Sequence, residues 1–588
     1  MDMFEKEQTL IKTQVAAILK EAGLPEEPLK WSWIPFSAHW GIATSLFAVA
    51  SQEAKAGKPV NVKTRATELA ELVKEKINLP PEFEKIEAVN GYVNLYFDSQ
   101  IFAKQVVDTV LEQGAAFGRG TVTGKNVMVE YSQPNTHKAF HVGHLRNMVL
   151  GSAVCEILDF AGDNVIRSNY IGDIGLHVIK WLWNYMNFHA GEEPPTEGMT
   201  RWMGALYAEA IKRLDENPDL EEQVRALFMR WDTRDPEVVA LWEQTRQWSL
   251  EAFNQVYDLL GIRFDRIYFE SDVEDSGKEI VDELIAKGIA KDERPEGAVI
   301  VDLDEILGTK EKYRVLVVLR SDGTSLYATK DLSLAIKKFE EYNLARSIYV
   351  IDVRQSLYMS QIFKVMELMG YEWAKNCYHL AYEIVNLPGN VTIASREGTV
   401  VLLEDLISEA EKRAQVIVQE KNPDLPEAVK AEVARSVAIG AIKYSLISRD
   451  NTKVITFDWN AAMDVNGQTA PYIQYAAVRA NSILRKVQFS IPKSTQVGYI
   501  LSKDEVELVD YLNRFPQEVQ RAAKDLRPLL IANYAFELSK AFSNFYNNCP
   551  VLSADEQTRD FRLRMVAAAR QVISNSLKIL GINVPEVM

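Results

Sequence analysis

The sequence predicts an α/β protein whose parallel-sheet core lies between a small α+β module and an all-helical C-terminal region. Three observations support this fold class. The segment VMVEYS (127–132), a polar loop, the helix-like run 145–162 and NVIRSNYIGD (164–173) follow one another as strand, loop, helix and strand. That order is typical of a parallel βαβ unit. Residues 84–99 alternate apolar and polar around Asn-Gly, and beyond about residue 402 long amphipathic runs dominate.

The module before the core is predicted from short patterns. Residues 1–20 have the periodicity of an amphipathic helix, and residues 41–77 predict two helices on either side of AGKPV. The alternation over 84–99 predicts a hairpin. Turn-forming residues at 114–124 then end the module.

The rest of the core follows the same logic. Residues 186–310 are charged and mostly helical in pattern, which indicates an insertion, whereas 312–331 and 347–370 restore the alternation of strand and helix. In such sheets ligands bind at the carboxyl ends of the strands. The loop after the first core strand, QPNTHKAFHVGH, is at such an end.

Composition limits the classes of protein. The chain has 588 residues, 47% of them hydrophobic and 25% charged, so two to four soluble domains are expected. It contains no run of 18 apolar residues, and its first residues lack the apolar core of a secretory signal. The 3 cysteines, Cys155, Cys377 and Cys549, are isolated, which favours a reducing compartment and a cytoplasmic location.

Charge is distributed unevenly along the chain. The formal net charge of −16 argues against bulk binding of nucleic acid. Residues 468–588, however, hold 15 Lys and Arg against 11 Asp and Glu. This basic C-terminal region indicates either a local site for a polyanion or a chance fluctuation.

The loop at 129–146, VEYSQPNTHKAFHVGHLR, gathers His137, His141 and His144 around Lys138 and Gly143. Three interpretations are open. The histidines could bind a metal, although no Cys or acidic residue nearby has ligand spacing. They could be loop residues with no shared task. They could also bind phosphate, because a loop that leads into a helix N-terminus offers free N–H groups, and imidazoles and a lysine add donors and charge.

Longer motifs in this stretch resemble a known family. HVGH, between a strand and a helix, resembles the HIGH motif of class I aminoacyl-tRNA synthetases, and VEYSQPNTHKAFHVGHLRN resembles the arginyl-tRNA synthetase family more closely. Four further blocks are similar to that family in the same order: YATKDLSLA (327–335), IDVRQ (351–355), TAPYIQYAAVRANSILRK (469–486) and the ending LGINVPEVM.

The resemblance implies a class I Rossmann-like catalytic core and an arginine–tRNA ligase. Arginine and ATP, supplied with Mg²⁺ as a substrate, would give arginyl-adenylate and pyrophosphate, and the arginyl group would pass to the 3′ end of tRNA(Arg). The first step would need bound tRNA. His141 and His144 would donate hydrogen bonds to phosphate oxygens, and Gly143 would lie under the adenine. The resemblance implies no permanently bound cofactor, no metal site, and a monomer.

The chain departs from the class pattern at the second motif, KMSKS. The matching region, NVTIASREGTVV (390–401), has neither lysine, and only Ser395 and Arg396 remain as candidates for ATP binding. Family members that lack the motif are thought to use a lysine just before HIGH. Lys138 has that position and becomes the candidate for stabilising pyrophosphate.

The resemblance also implies how each substrate is bound. For arginine, a guanidinium needs planar anionic partners, and Tyr327 and Asp331 are spaced to share one helix face. The full set of arginine candidates is Glu130, Ser132, Asn135, Tyr327, Asp331 and Gln355. For tRNA the candidates are Tyr92, Asn94, Tyr472, Tyr475, Arg479, Tyr546 and Met588.

The implied domains are an N-terminal domain (1–118) that contacts the tRNA elbow, a catalytic domain (119–401) with the insertion at about 186–310, a helical connector (402–465) and a helical anticodon-binding domain (466–588). The main alternative is a non-catalytic tRNA-binding paralogue, favoured by the missing KMSKS lysines. A nucleotidyltransferase acting on a small acid and a metal-dependent hydrolase are more remote alternatives.

Overall fold

The computed structural model describes residues 4–24, 29–56, 60–387, 391–392, 402–487 and 489–588. Its N-terminal part packs helices against one four-stranded antiparallel sheet. The elements are α1 (Glu5–Glu21), β1 (Trp31–Trp33), β2 (Gly41–Ser45), α2 (Phe47–Lys55), α3 (Val62–Lys76), β3 (Phe83–Val89), β4 (Tyr92–Phe97) and α4 (Ser99–Gln113). The strand order is β1-β2-β4-β3. The predicted hairpin is confirmed: β3 and β4 are joined by Asn90 and Gly91, which both have positive φ.

One prediction for this part is wrong. Residues 41–45 were expected to begin a helix but form β2, which pairs with both β1 and β4. Gly41 explains why the strand fits there, because a Cβ at this position would lie 2.4 Å from the carbonyl oxygen of Leu95. Because the residues after this strand have helical periodicity, the sequence pattern did not show that the five residues before them form a strand.

The central part of the chain is a five-stranded parallel sheet with helices around it. Its elements in chain order are β5 (Asn126–Glu130), α5 (Val142–Phe160), β6 (Asn164–Ile171), α6 (Leu176–Phe188), α7 (Met199–Glu216), α8 (Glu221–Asp232), α9 (Pro236–Leu260), β7 (Arg266–Phe269), α10 (Glu274–Ala286), β8 (Lys291–Asp292), β9 (Val299–Asp302), α11 (Leu303–Leu307), β10 (Val315–Leu319), α12 (Tyr327–Tyr342), β11 (Arg346–Asp352), α13 (Ser356–Leu368) and β12 (Cys377–Tyr382).

The strand order β12-β11-β5-β6-β7 fixes where a ligand can bind. The chain leaves β5 through α5 towards β6 on one side, while β11 pairs with β5 on the other side. The carboxyl ends of β5 and β11 therefore flank a switch point of the sheet, where ligands of open α/β sheets bind.

Two parts of the core differ from the prediction. Residues 266–269, expected in the helical insertion, form β7 and extend the core sheet beside β6. Residues 315–319, expected to rejoin the core alternation, instead form β10 in a separate antiparallel sheet with β9 and β8. Both strands are short, and local pattern does not show which sheet a short strand joins.

The C-terminal part is almost entirely helical, as predicted. After β13 (Val385–Leu387) and β14 (Val391–Thr392) come α14 (Leu403–Lys421), α15 (Glu427–Ile447), β15 (Ile455–Thr456), α16 (Trp459–Met463), α17 (Ala470–Arg485), α18 (Lys503–Asp525), α19 (Pro528–Asn548) and α20 (Glu556–Lys578). The strands form a small sheet in the order β14-β13-β15. Within the described ranges, no helix is both long and apolar enough to cross a membrane.

Candidate active site

The helix α5 begins directly at the HVGH segment. His141 is the N-cap residue, with extended φ and ψ of −122° and 168°, and its Nδ1 accepts the N–H of Gly143 at 3.1 Å. In return, the backbone N–H of His141 donates to Nδ1 of His144 at 3.2 Å. A neutral imidazole whose Nδ1 accepts a hydrogen bond carries its hydrogen on Nε2. The cap therefore gives both rings an Nε2–H donor at the positive end of a helix.

Both imidazoles are neutral at pH 7. Burial lowers the pKa of His141 to about 4, and the charge of Lys138 lowers it further. Burial also holds the pKa of His144 well below its usual value, with contributions from His141 and Lys138. The two ring centroids are only 3.9 Å apart, a distance that disfavours a charge on both rings at once. Neutral rings still donate hydrogen bonds to phosphate oxygens.

Gly143 leaves room for the His141 ring, which the sequence did not reveal. A Cβ at this position would lie 2.9 Å from Nδ1 and Cε1 of the His141 ring. Any other residue would displace that ring from its cap. The prediction that Gly143 lies under an adenine stays a prediction.

Lys138 lies among these groups. Its Nζ is 5.2 Å from the centroid of the Tyr207 ring on α7, and burial lowers its pKa. Its charge also lowers the pKa of His141 and of His144. Lys138 is therefore the cation of the HVGH site in the described part of the chain. The other candidates for ATP binding, Ser395 and Arg396, lie outside the described residues.

His137 does not join the other two histidines. Its ring is buried, with Nε2 at 2.9 Å from the Thr245 hydroxyl and Nδ1 at 3.0 Å from the Thr136 hydroxyl. Burial also holds its pKa far below the usual value. Across the described ranges, no three His, Cys, Asp or Glu side chains meet in a group that could hold a metal ion. The three histidines therefore do not form one ligand group.

A cavity of about 600 Å³ opens beside this site at the carboxyl ends of the core strands. All six residues predicted to bind arginine line it, and so does His144. The structure therefore brings together side chains that are up to 225 positions apart, from Glu130 to Gln355. The remaining wall residues are Gln133, Asn147, Tyr170, Gly172, Glu270, Leu334, Lys338, Tyr349, Ile351, Asp352, Arg354, Tyr358, Met359, Ile362 and Tyr382.

Three of the four carboxylates in the wall already have cationic partners, and one of these pairs is Asp352 with Arg354, whose Nε donates to Oδ1 at 2.8 Å. Lys338, fully buried on α12, forms an ion pair with Glu130, whose Oε1 also accepts the side-chain amide of Gln133 at 2.8 Å. Lys330, on the same helix, donates to Glu270 at 2.8 Å. Charges this deeply buried are stable only when they are paired.

Asp331 is different. Its only hydrogen-bond partner among the described residues is the Tyr358 hydroxyl, which donates at 2.5 Å, and no described Lys or Arg lies within ion-pair distance. Burial raises the pKa of Asp331 to about 7, and the carboxylates of Glu130 and Glu270 raise it further. The cavity therefore contains one acidic group that lacks a cation.

Several neighbours of Asp331 were missed by sequence reasoning. The buried hydroxyls of Tyr170 and Tyr349 line the cavity and have no hydrogen-bond partner within the described residues. Glu270 follows directly after β7, so recognition of that strand would have placed it at the ligand edge. Lys338 had a weaker signal: it follows Asp331 by seven positions and so shares the helix face.

The candidates for tRNA binding lie in two places. In the C-terminal helices, the Arg479 guanidinium is 4.8 Å from the Tyr475 ring centroid and 4.9 Å from that of Tyr546. Both tyrosines are about two-fifths exposed. Tyr472 is partly buried against Phe536, and Met588 is half-buried in the same region. Tyr92 and Asn94 lie on β4 of the N-terminal sheet, where Tyr92 is 46% exposed.

Comparison with known proteins identifies the family. The family described as tRNA synthetases class I (R), catalytic domain, matches residues 106–459, and the DALR anticodon binding domain matches residues 473–588. The arginine–tRNA ligase of Clostridium perfringens is 38% identical over 529 residues, which are 89% of this chain and 90% of that protein. That of Alkaliphilus metalliredigens is 36% identical, over 88% and 90%. The chain belongs to the arginyl-tRNA synthetase family.

Solved structures agree with this family. The arginyl-tRNA synthetase of Thermus thermophilus has a TM-score of 0.77 at 28% identity and covers 98% of this chain and 99% of its own. That of Plasmodium falciparum, at 19% identity and a TM-score of 0.75 over the full length of both chains, shares the fold. The predicted fold class and the predicted activity of an arginine–tRNA ligase are thus confirmed, and the non-catalytic alternative is not favoured.

Proposed function

We propose that the cavity binds arginine and that the HVGH end of α5 binds the phosphates of ATP, so that arginyl-adenylate forms between them and the arginyl group then passes to the 3′ end of tRNA(Arg). The observation that carries this proposal is the arrangement of Asp331. A carboxylate without a cation, in a cavity whose other acids are paired, is complementary to one guanidinium.

Asp331 would form the ion pair with the guanidinium of arginine. Tyr327, which precedes Asp331 by one helical turn, would contact the side of the same group. The charge of Glu130 is compensated by Lys338. We therefore assign Glu130 the role of a hydrogen-bond acceptor and not that of a second charge partner for the guanidinium. Ser132, Asn135 and Gln355 would bind the α-amino and carboxylate end. Ser132 is held for this role by hydrogen bonds from its N–H to Asn147 at 2.6 Å and between its hydroxyl and that of Tyr257 at 2.8 Å.

In the activation step the arginine carboxylate attacks the α-phosphorus of ATP. A new oxygen–phosphorus bond forms as the bond to pyrophosphate breaks, and negative charge grows on the phosphate oxygens. The Nε2–H groups of His141 and His144 and the positive end of the α5 dipole would stabilise this charge. We assign Lys138 to the departing pyrophosphate. No covalent enzyme intermediate is needed, and Mg²⁺ enters with ATP as part of the substrate.

The basic C-terminal helices would read the anticodon. The stack of Tyr475, Arg479 and Tyr546 offers two exposed aromatic faces and a cation, which suit unpaired bases and their phosphates. Tyr472 and Met588 lie near it as further candidates, and Tyr92 and Asn94 would contact the tRNA elbow. The same proposal includes domain limits at residues 118, 401 and 465, a monomeric state and a cytoplasmic location. The 3 free cysteines support the cytoplasmic location.

Arginine-dependent exchange of pyrophosphate into ATP tests the proposal, run with and without tRNA(Arg). We expect exchange that depends on tRNA. Exchange in both conditions would keep the activation site and remove the requirement for tRNA. If neither condition gave exchange while tRNA still bound, the catalytic assignment would fail. The variant Arg479→Ala should raise KM for tRNA while leaving the arginine Kd unchanged, which separates the anticodon assignment from the active-site assignment.

A further inference from the structure

A buried arginine connects the HVGH helix to the C-terminal half of the molecule. Arg146 lies on α5, two positions after His144, and is only 1% exposed. Its guanidinium forms no ion pair with a carboxylate among the described residues and is surrounded by backbone carbonyl oxygens. Burial lowers its pKa to about 10, so it still carries its charge at neutral pH.

The carbonyl oxygens come from two separate segments. Nη1 donates to Glu383 and Ile384, at the end of the core strand β12 and the start of β13, and also to Lys453 at 3.0 Å. Nη2 donates to Asp450 and Asn451, each at 3.3 Å. The two segments are themselves joined, because the N–H of Glu383 donates to the carbonyl of Asn451 at 2.9 Å. Five acceptors in two directions match a planar guanidinium and do not match an ammonium.

The 450–453 loop, defined as Asp450, Asn451, Thr452 and Lys453, also contacts the C-terminal helices. The carboxylate of Asp450 forms an ion pair with Arg527, the residue that precedes α19. The same carboxylate accepts the N–H of Thr452 at 3.0 Å, which fixes the loop conformation. A continuous set of contacts therefore runs from Arg527 through the loop and Arg146 to the helix that carries His144.

We propose that Arg146 is a positioning residue. Through the Asp450–Arg527 pair, it couples the position of the HVGH helix to the position of the C-terminal helical domain. This inference rests on the proposed phosphate site at His141 and His144. A small movement of α19 would displace the 450–453 loop, and the guanidinium would transmit it to α5, because the packed core between these elements yields little. The catalytic imidazoles would then adopt their working position only when the C-terminal domain is correctly placed.

A double-mutant cycle tests the link, with kcat for pyrophosphate exchange measured at saturating substrates and tRNA. Arg146→Lys keeps the positive charge but loses the planar guanidinium that binds several carbonyl oxygens. We therefore expect kcat to fall at least tenfold while the arginine Kd stays within twofold. Arg527→Gln, on the surface, should lower kcat by about 2- to 30-fold, the usual range of such couplings. In the Arg146→Lys background, Arg527→Gln should have less than a twofold effect.

Two further variants keep the result interpretable. Asp450→Asn preserves the loop turn and the carbonyl contact to Arg146 but weakens the ion pair, so it should reproduce Arg527→Gln even if Arg146→Lys folds poorly. The control is Arg435→Gln, which removes an exposed arginine (64%, against 45% for Arg527) from an ion pair with Glu411 between α15 and α14. The control should leave kcat unchanged.

Independent, additive effects of Arg146→Lys and Arg527→Gln would overturn the proposal, as would an unchanged kcat in Arg527→Gln and Asp450→Asn. This failure is distinguishable from failure of the proposed function. His144→Asn should abolish exchange whether or not the link exists, so an active His144→Asn enzyme would refute the phosphate site itself.

Discussion

The pKa of Asp331 makes arginine binding depend on pH in a way that can be measured directly. Burial in the cavity raises this pKa to about 7, whereas arginine keeps its guanidinium charge at any physiological pH. Binding requires the ionised carboxylate. The ionised fraction falls from about nine-tenths at pH 8 to about one-tenth at pH 6, so the arginine Kd should rise about tenfold over this range. Because a bound guanidinium stabilises the carboxylate, binding at pH 7 should release about half a proton.

Isothermal titration of arginine into the protein, without ATP, measures both quantities. Titrations in two buffers of different ionisation enthalpy give the number of protons released. His141 and His144 do not contribute in this range, because burial holds their pKa values at about 4 and well below 6.5. A Kd that is constant between pH 6 and pH 8, with no proton release, would refute the assignment of Asp331.

The variant Asp331→Asn separates binding from stability. Removing a buried charge partner should weaken arginine binding by about 2–5 kcal/mol and abolish its pH dependence. Stability should change in the opposite direction. Since the pKa in the folded state lies above its value of 3.8 in an unfolded chain, the ligand-free protein loses up to about 4 kcal/mol as pH rises from about 4 to above 7. At pH 8 the variant without arginine should therefore melt at a higher temperature than the natural protein. Equal or lower melting would contradict the pKa.

Three further changes test the rest of the site. Lys338→Met leaves Glu130 buried and unpaired, so it should destabilise the protein by about 3–5 kcal/mol in a denaturant titration. The double variant with Glu130→Gln should recover most of that loss. No recovery would mean that Lys338 matters for another reason. Gly143→Ala should lower kcat for pyrophosphate exchange about 10-fold or more, because the new Cβ displaces the His141 ring; an unchanged kcat would show that the cap is not needed. Lys138→Ala should reduce kcat far more than it weakens arginine binding, and a defect in binding alone would refute its role with pyrophosphate.

Much of the fold could be predicted from local pattern. The βαβ unit, the Asn-Gly hairpin and the C-terminal helices were predicted correctly because each depends on periodicity or turn chemistry within about twenty residues. The errors share a cause. Residues 41–45, 266–269 and 315–319 are strands of four or five residues, and their pairing depends on partners that are distant in sequence.

The sequence by itself determined the family, through motifs in a fixed order, and with it the six candidate arginine-binding residues, all of which line the cavity. The sequence also singled out the glycine at position 143, but only the structure shows that a side chain there would meet the His141 ring. Only the tertiary structure decided the charge state of the site: that Glu130 and Glu270 are compensated by lysines on α12, that Asp331 is not, and that His137 is turned away from its neighbours. Sequence fixes which groups are present, but pairing and burial depend on contacts between distant segments, and these set which of the groups remains free to bind a ligand.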